Sequence, residues 1–338
     1  MKRSVAADPA LGRVGSAWEA AEAILWLRSD QASGVTGAFI DTAGWTEMGA
    51  GDGFDPVRVA PGPALRRALT GFTPADDGNA DDARGELDGL VRTFLDEGRG
   101  VLVLTGLEAS EEAAAVAIAS ISALLGEARP QNREGELLRW VRDRRTAVGE
   151  GKRARYSDSR FGGDLHTDGA EAALPAPDLF TLYCVRQSRL GGELVTVHLD
   201  HILRRLADQP DVLHTLHAPF HVDRRGDEQE GEAPTVRKPV LFEQNGRTSI
   251  SYLRSYIEIG HGHDGVASLT GTQHAALDAV DAVTRDPRAR LVGKLREGEL
   301  AVFDNLRLLH GRQEFVNEPD HSRLLVRSWI RRLTPHPS

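Results

Sequence analysis

Apolar and polar positions divide the chain into a helical first third and a strand-rich remainder. Ala17 to Leu27 carries apolar and small residues at helical spacing, which predicts a short amphipathic helix. Pro74 to Arg84, rich in Asp, Asn, Gly and Ala, predicts a loop. Glu86 to Glu97 is again helical in spacing, and Gly98-Arg-Gly100 stops it. The aliphatic run Val101 to Leu104 follows as a strand.

Beyond residue 150 short strands dominate: Leu179 to Val185, Glu193 to Leu199, Val240 to Phe242, Thr248 to Tyr252, Leu300 to Phe303 and Leu324 to Ile330. Turn residues separate them, and one helix, Thr272 to Thr284, interrupts. Many short strands with an inserted helix suggest an antiparallel sandwich or barrel, not a wound parallel sheet. The loop at Pro74 to Arg84 sets the expected organisation, an N-terminal helical region (1–85) packed on a main domain (86–338). Asp223 to Glu232 is a charged loop with nothing to bury, read as a solvated connection or, second, as a mobile lid.

Composition narrows the classes. With 40% hydrophobic and 27% charged residues in 338, the chain is ordinary globular protein and not disordered. The net charge of −9, with no basic block, argues against nucleic acid as a partner. Cys184 is the single cysteine, so neither an intrachain disulfide nor a thiolate metal site is expected. The longest apolar run near the start is Ala23 to Leu27, too short for a signal core or a bilayer span, so a soluble, cytoplasmic protein is expected.

The chemistry concentrates in two segments. In Gly162-Gly-Asp-Leu-His-Thr-Asp-Gly169, an extended backbone sends His166 and Asp168 to the same side, because side chains alternate with period two. The pair alone is common by chance. A third ligand, His310, lies in Phe303-Asp-Asn-Leu-Arg-Leu-Leu-His-Gly-Arg312. Two imidazoles and a carboxylate on one face of an octahedral ion leave positions open for a chelating cosubstrate and dioxygen, the arrangement of non-haem iron(II) oxygenases.

Behind His310 come Arg323 and Arg327, four apart in His321-Ser-Arg-Leu-Leu-Val-Arg-Ser-Trp329. On a strand they face one way, with Leu325 between them on that face, so both guanidinium groups can enter one cavity. Guanidinium binds carboxylate bidentately and stays charged when buried, which suits a dicarboxylate cosubstrate. His198, His201, His261 and His263 have no distant partner in a recognisable setting and are read as structural or surface residues.

From about Gly89 to Arg331 the chain resembles the taurine dioxygenase and clavaminate synthase-like 2-oxoglutarate oxygenases. The matching pieces are His166-Thr-Asp-Gly169, the Gly191-Gly-Glu193 turn entering a strand, and Asp304 to Arg312 with its trailing arginines. The resemblance implies a mainly β fold with flanking helices, a double-stranded β-helix or jelly roll. It implies Fe(II) on His166, Asp168 and His310, with 2-oxoglutarate and O2 as cosubstrates. Arg323 then pairs with the distal carboxylate of 2-oxoglutarate, and Arg327 sits nearer the substrate or the cosubstrate's other carboxylate. Where relatives often place Thr or Ser after the Gly-Gly-acidic turn this chain has Leu194, and Thr196, facing the same way, is the expected substitute.

Halogenating relatives replace the carboxylate ligand with a small residue, so Asp168 favours hydroxylation. The expected substrate is a small polar metabolite, a free or carrier-linked amino acid, with Arg327 and Arg254 as contacts. Desaturation or ring closure in secondary metabolism would use the same residues. From other classes, a zinc hydrolase leaves the paired arginines without purpose, and an inactive jelly-roll binding module would tolerate loss of His166. Nothing in the chain speaks to oligomeric state.

Overall fold

The structure, a computed structural model, describes residues 52–71, 77–144 and 158–332. The helix expected at Ala17 to Leu27 lies outside them. Two helices lead in, α1 (Pro63–Gly71) and α2 (Asp77–Val91), the second followed by a π-helical turn, Arg92–Asp96. Here the expected loop at Pro74 to Arg84 is corrected, because from Asp77 the chain is helical. Ala83, Leu87 and Val91 recur every fourth residue and are buried, Leu87 and Val91 joining the apolar cluster that holds Leu65 and Leu69 of α1. One buried stripe outweighs the poor helix propensity of Asp and Gly. A third helix, α3 (Glu111–Leu125), is capped by Ser110, whose side chain accepts from Ala113 N.

The strands form two facing sheets of unequal size. The larger contains β1 (Arg58–Val59), β2 (Val101–Leu104), β3 (Gly126–Arg129), β4 (Arg139–Val141), β5 (Leu179–Arg186), β12 (Leu300–Asp304) and β14 (Leu324–Arg332). Their order is β1-β2-β12-β5-β14-β3, with β4 also paired to β14. The smaller orders β11 (Arg290–Gly293), β6 (Leu194–His198) and β13 (Leu308–Arg312), all antiparallel. Two hairpins complete the β structure: β7 (Pro219–Asp223) with β8 (Thr235–Pro239), and β9 (Leu241–Gln244) with β10 (Arg247–Ile250). This is the mainly β architecture with flanking helices that the sequence implied.

Strand β5 shows why the core divides as it does. Its Leu179, Tyr183 and Val185 join the cluster with α1, α2 and α3, whereas Phe180, Leu182 and Cys184 join Leu194, Leu308, Phe303 and Leu325 between the sheets. Strand β14 repeats the alternation, with Leu324, Val326 and Ile330 towards the helices and Leu325 and Trp329 towards the interior. Both faces of these central strands are covered, so they read as continuous apolar runs.

Between β6 and β7 the chain forms α4 (Leu199–Leu206) and α5 (Pro210–His217); α6 (Arg254–Gly260) and α7 (Gly271–Arg285) follow β10. Only α7 was predicted from spacing. The strand expected to reach Leu199 ends at His198, which instead caps α4 by accepting from Asp200 N. The charged segment Asp223 to Glu232 joins β7 to β8. It is tied at its base by Arg224 N to Pro234 O (2.9 Å) and by Asp223 to His263 (2.6 Å). Among the described residues, no helix is long and apolar enough to cross a membrane.

Candidate active site

The backbone brings the three proposed ligands together before any side chain acts. His166 N donates to His310 O at 2.9 Å and His310 N donates to His166 O at 2.8 Å, a reciprocal bridge between residues 144 positions apart. Thr167 is gripped likewise: its N donates to Tyr252 O (2.9 Å), and its Oγ1 accepts from Tyr252 N (3.0 Å). Asp168 is held by Asn305, whose Oδ1 accepts from Asp168 N (2.8 Å) and whose Nδ2 donates to Asp168 O (3.1 Å) and Pro177 O (2.9 Å). After Asp168 the turn is pinned by Lys238, whose amine donates to Ala172 O at 2.7 Å. Burial pushes that lysine down to about 7.

Strand β13, which the apolar pattern did not predict, carries His310 into the space between the sheets. Gly311 after it has a reason: a Cβ there would meet Leu165 Cδ2 at 2.8 Å and Gly163 O at 3.2 Å, pushing the His166 segment away.

Side-chain ligand atoms of His166, Asp168 and His310 lie within 4.8 Å of one another, and among the described residues this is the one such cluster of His, Cys, Asp and Glu. His166 Nδ1 lies 2.9 Å from Asp164 O. A donated proton there leaves Nε2 as the ligand, the usual way an outer contact sets the tautomer of a metal-binding histidine. Asp168 Oδ2 and His310 Nδ1 are buried with no hydrogen-bond partner. Buried polar atoms are ordinarily paired, so a cation is what these lack. Burial, then the nearby His166 and Arg327, hold His310 well below the usual histidine range, keeping it a neutral donor. The donor set fits Fe(II).

Around this cluster Gly163, Phe180, Leu182, Leu194, Leu325, Arg312, Arg323 and Arg327 line one cavity. The two arginines after His310 meet there as the strand spacing predicted, but differ in state. Arg327 Nη1 donates to Asp168 Oδ1 at 2.6 Å and its Nε to Gln131 Oε1 at 2.8 Å. Arg323, only 2% exposed, forms no ion pair with any described carboxylate; it rests over the Phe315 ring and donates through Nε to Gln187 Oε1. Burial lowers it to about 10, still charged at neutral pH. Glu193 acts on it through its charge but forms no ion pair with it, and a buried guanidinium so partly compensated marks a place for an anion. The Gly-Gly turn fits against it: Gly192, at φ +82°, leaves space where a Cβ would crowd Arg323 Nε at 3.2 Å.

Two expected contacts are placed elsewhere. Thr196 is buried opposite His310 in the small sheet and does not line the cavity, while the apolar Leu194 does. Arg254 opens α6 and lines an adjoining polar cavity, its guanidinium engaged by Glu258, Asp278 and Asp281. The two cavities share Gly163 and Arg312 in their walls.

Three residues escaped the sequence reading. Gln131 and Gln187 carried no local signal, and Asn305 stood in a quoted motif without a role. Arg312 is also structural, its guanidinium spent on the backbone oxygens of Ser159, Arg160, Phe161 and Gln313, so that it fastens the segment leading to His166. Replacing Asn305 by alanine removes three buried hydrogen bonds. We expect a loss of about 2–4 kcal/mol in denaturant unfolding, and roughly tenfold weaker Fe(II) binding in anaerobic titration. Unchanged iron affinity would show that Asn305 only stabilises the fold.

Comparison with known proteins agrees with this geometry. The FR-33289 synthase of Streptomyces rubellomurinus is 27% identical over 245 residues, covering 70% of each chain. A uridine-5'-phosphate dioxygenase of an Amycolatopsis species is 29% identical over 164 residues, 48% of this chain and 58% of that one. Among solved structures, asparagine oxygenase with Fe(II), 3-hydroxyasparagine and succinate superposes with a TM-score of 0.60 at 19% identity, covering 81% of this chain and 93% of that one. The non-heme iron oxygenase OrfP with Fe and alpha-ketoglutaric acid gives 0.58 at 17%, with the same coverage. The profile of the family described as taurine catabolism dioxygenase TauD, TfdA matches residues 62–329, most of the chain, and the protein therefore belongs to this family of Fe(II)- and 2-oxoglutarate-dependent dioxygenases.

Proposed function

We propose that the protein is a hydroxylase of a small carboxylate-bearing metabolite, a free or carrier-linked amino acid or derivative. In this reading His166, Asp168 and His310 hold Fe(II), and Arg323 receives the far carboxylate of 2-oxoglutarate. The observation that carries the reading is that His166 and His310 of the three-residue cluster line one cavity together with Arg323, a buried arginine that forms no ion pair with any described carboxylate. Bound iron, with dioxygen and 2-oxoglutarate, supplies oxidative decarboxylation to succinate and the oxidant for an unactivated C–H bond.

The chain's own residues supply geometry. Arg327 fixes Asp168 through Oδ1, leaving Oδ2 for the metal, and is the cation nearest the ligands for a substrate carboxylate. Phe180, Leu182, Leu194 and Leu325 keep the cavity wall apolar and exclude water from the reacting centre. A longer or carrier-linked substrate extends past Gly163 into the adjoining polar cavity, where Arg254 lies.

Reconstituted anaerobically with Fe(II), the protein is expected to bind 2-oxoglutarate with a weak visible charge-transfer band. In air it is expected to form succinate and add one oxygen atom to an amino acid or derivative, read by mass spectrometry of a metabolite panel. Absence of both the band and succinate refutes the reading.

A further inference from the structure

Arg323 is held by an amide where an acid would be the ordinary partner. Gln187 Oε1 accepts from Arg323 Nε at 2.9 Å, and Gln187 Nε2 donates to Leu295 O at 2.7 Å. These contacts allow one orientation of the amide, since a flip would set donor against donor and acceptor against acceptor. The main chain of Gln187 is equally committed: its N donates to Glu297 Oε1 (3.1 Å) and its O lies 2.7 Å from His321 Nε2. Ser188 N and Oγ approach the same Oε1 at 3.1 and 3.3 Å. The guanidinium is therefore gripped at Nε, while neither Nη donates to a described residue.

A glutamate at this position would make the same hydrogen bond and cancel the charge. The amide orients Arg323 without adding an opposing charge at its Nε, so its Nη groups keep their charge for a ligand. We propose that Gln187 is a positioning residue that spares the charge of Arg323 and so sets the preference for a dicarboxylate 2-oxo acid. This rests on the reading that Arg323 receives the far carboxylate of 2-oxoglutarate.

The test compares 2-oxoglutarate with 2-oxopentanoate, which has the same carbon chain without the far carboxylate. Both chelate iron through the 2-oxo acid end, so the anaerobic visible band gives a dissociation constant for each. In Gln187→Glu, 2-oxoglutarate is expected to bind at least about tenfold more weakly, while 2-oxopentanoate and Fe(II) bind as in the wild type. Like charges then face each other across one guanidinium, and only the dicarboxylate feels it. Equal weakening of both acids marks a merely structural role and overturns the proposal, as does unchanged 2-oxoglutarate binding.

Arg323→Gln separates the two claims. If it abolishes the preference for 2-oxoglutarate while Gln187→Glu leaves it intact, the Gln187 proposal alone fails. If Arg323→Gln also keeps the preference, the Arg323 reading fails. Should Gln187→Glu not fold, Gln187→Met removes the Nε contact without adding charge. It is then expected to weaken 2-oxoglutarate several-fold and spare 2-oxopentanoate, and wild-type affinity for 2-oxoglutarate would overturn the proposal.

Discussion

Asp168→Ala is expected to abolish hydroxylation and to weaken Fe(II) binding by at least about 10²-fold, since two neutral imidazoles replace a charged three-ligand set. The same change is expected to cost the metal-free protein about 3 kcal/mol, because it leaves Arg327, 8% exposed, without its carboxylate. Metal content after anaerobic loading and urea unfolding of the metal-free protein check the two halves separately. Asp168→Asn sharpens the result. The amide oxygen can still accept from Arg327, so stability should recover part of the loss while iron binding stays poor. Wild-type iron content in either variant would remove Asp168 from the ligand set.

Arg323→Gln is expected to raise the KM for 2-oxoglutarate on the order of 10²-fold, as loss of a buried charge-assisted pair costs several kcal/mol. The turnover number should fall much less, because the distal carboxylate is held equally in ground and transition states. Stability should move the other way. Arg323 lies beside Phe315 and Gln187 and forms no ion pair with a described carboxylate, so Arg323→Met should leave the ligand-free protein at least as resistant to denaturant as the wild type. A protein whose KM is unchanged while its stability collapses would show that Arg323 serves the fold instead of the cosubstrate.

These two arginines, four residues apart on one strand face, illustrate how position in a cavity divides labour between identical side chains. Arg327 spends one nitrogen on Asp168 and one on Gln131, and Gln131 in turn donates to Arg327 O and Leu137 O, so the carboxylate ligand has a fixed angle. Arg323 makes no such ion pair.

The sequence by itself determined the strand faces, the family chemistry and which side chains could share one site. His166 and Asp168 two apart, and Arg323, Leu325 and Arg327 alternating on one strand, are local facts, because a pleated backbone fixes where every second side chain points. Leu179 to Val185 and Leu300 to Phe303 were legible for the same reason, as runs buried on both faces. The tertiary structure alone decided which groups those side chains meet. Gln131 reaches Arg327 across 196 positions, Gln187 reaches Arg323 across 136 and Asn305 reaches Asp168 across 137, and no local periodicity records such pairings. It also decided that Leu194 walls the cavity while Thr196, on the same strand face and paired across the sheet with His310, lies outside its lining, and that Arg254 is spent on three carboxylates. Strand β13 and the first part of α2 escaped the pattern because their stability comes from burial against distant elements, which outweighs intrinsic propensity.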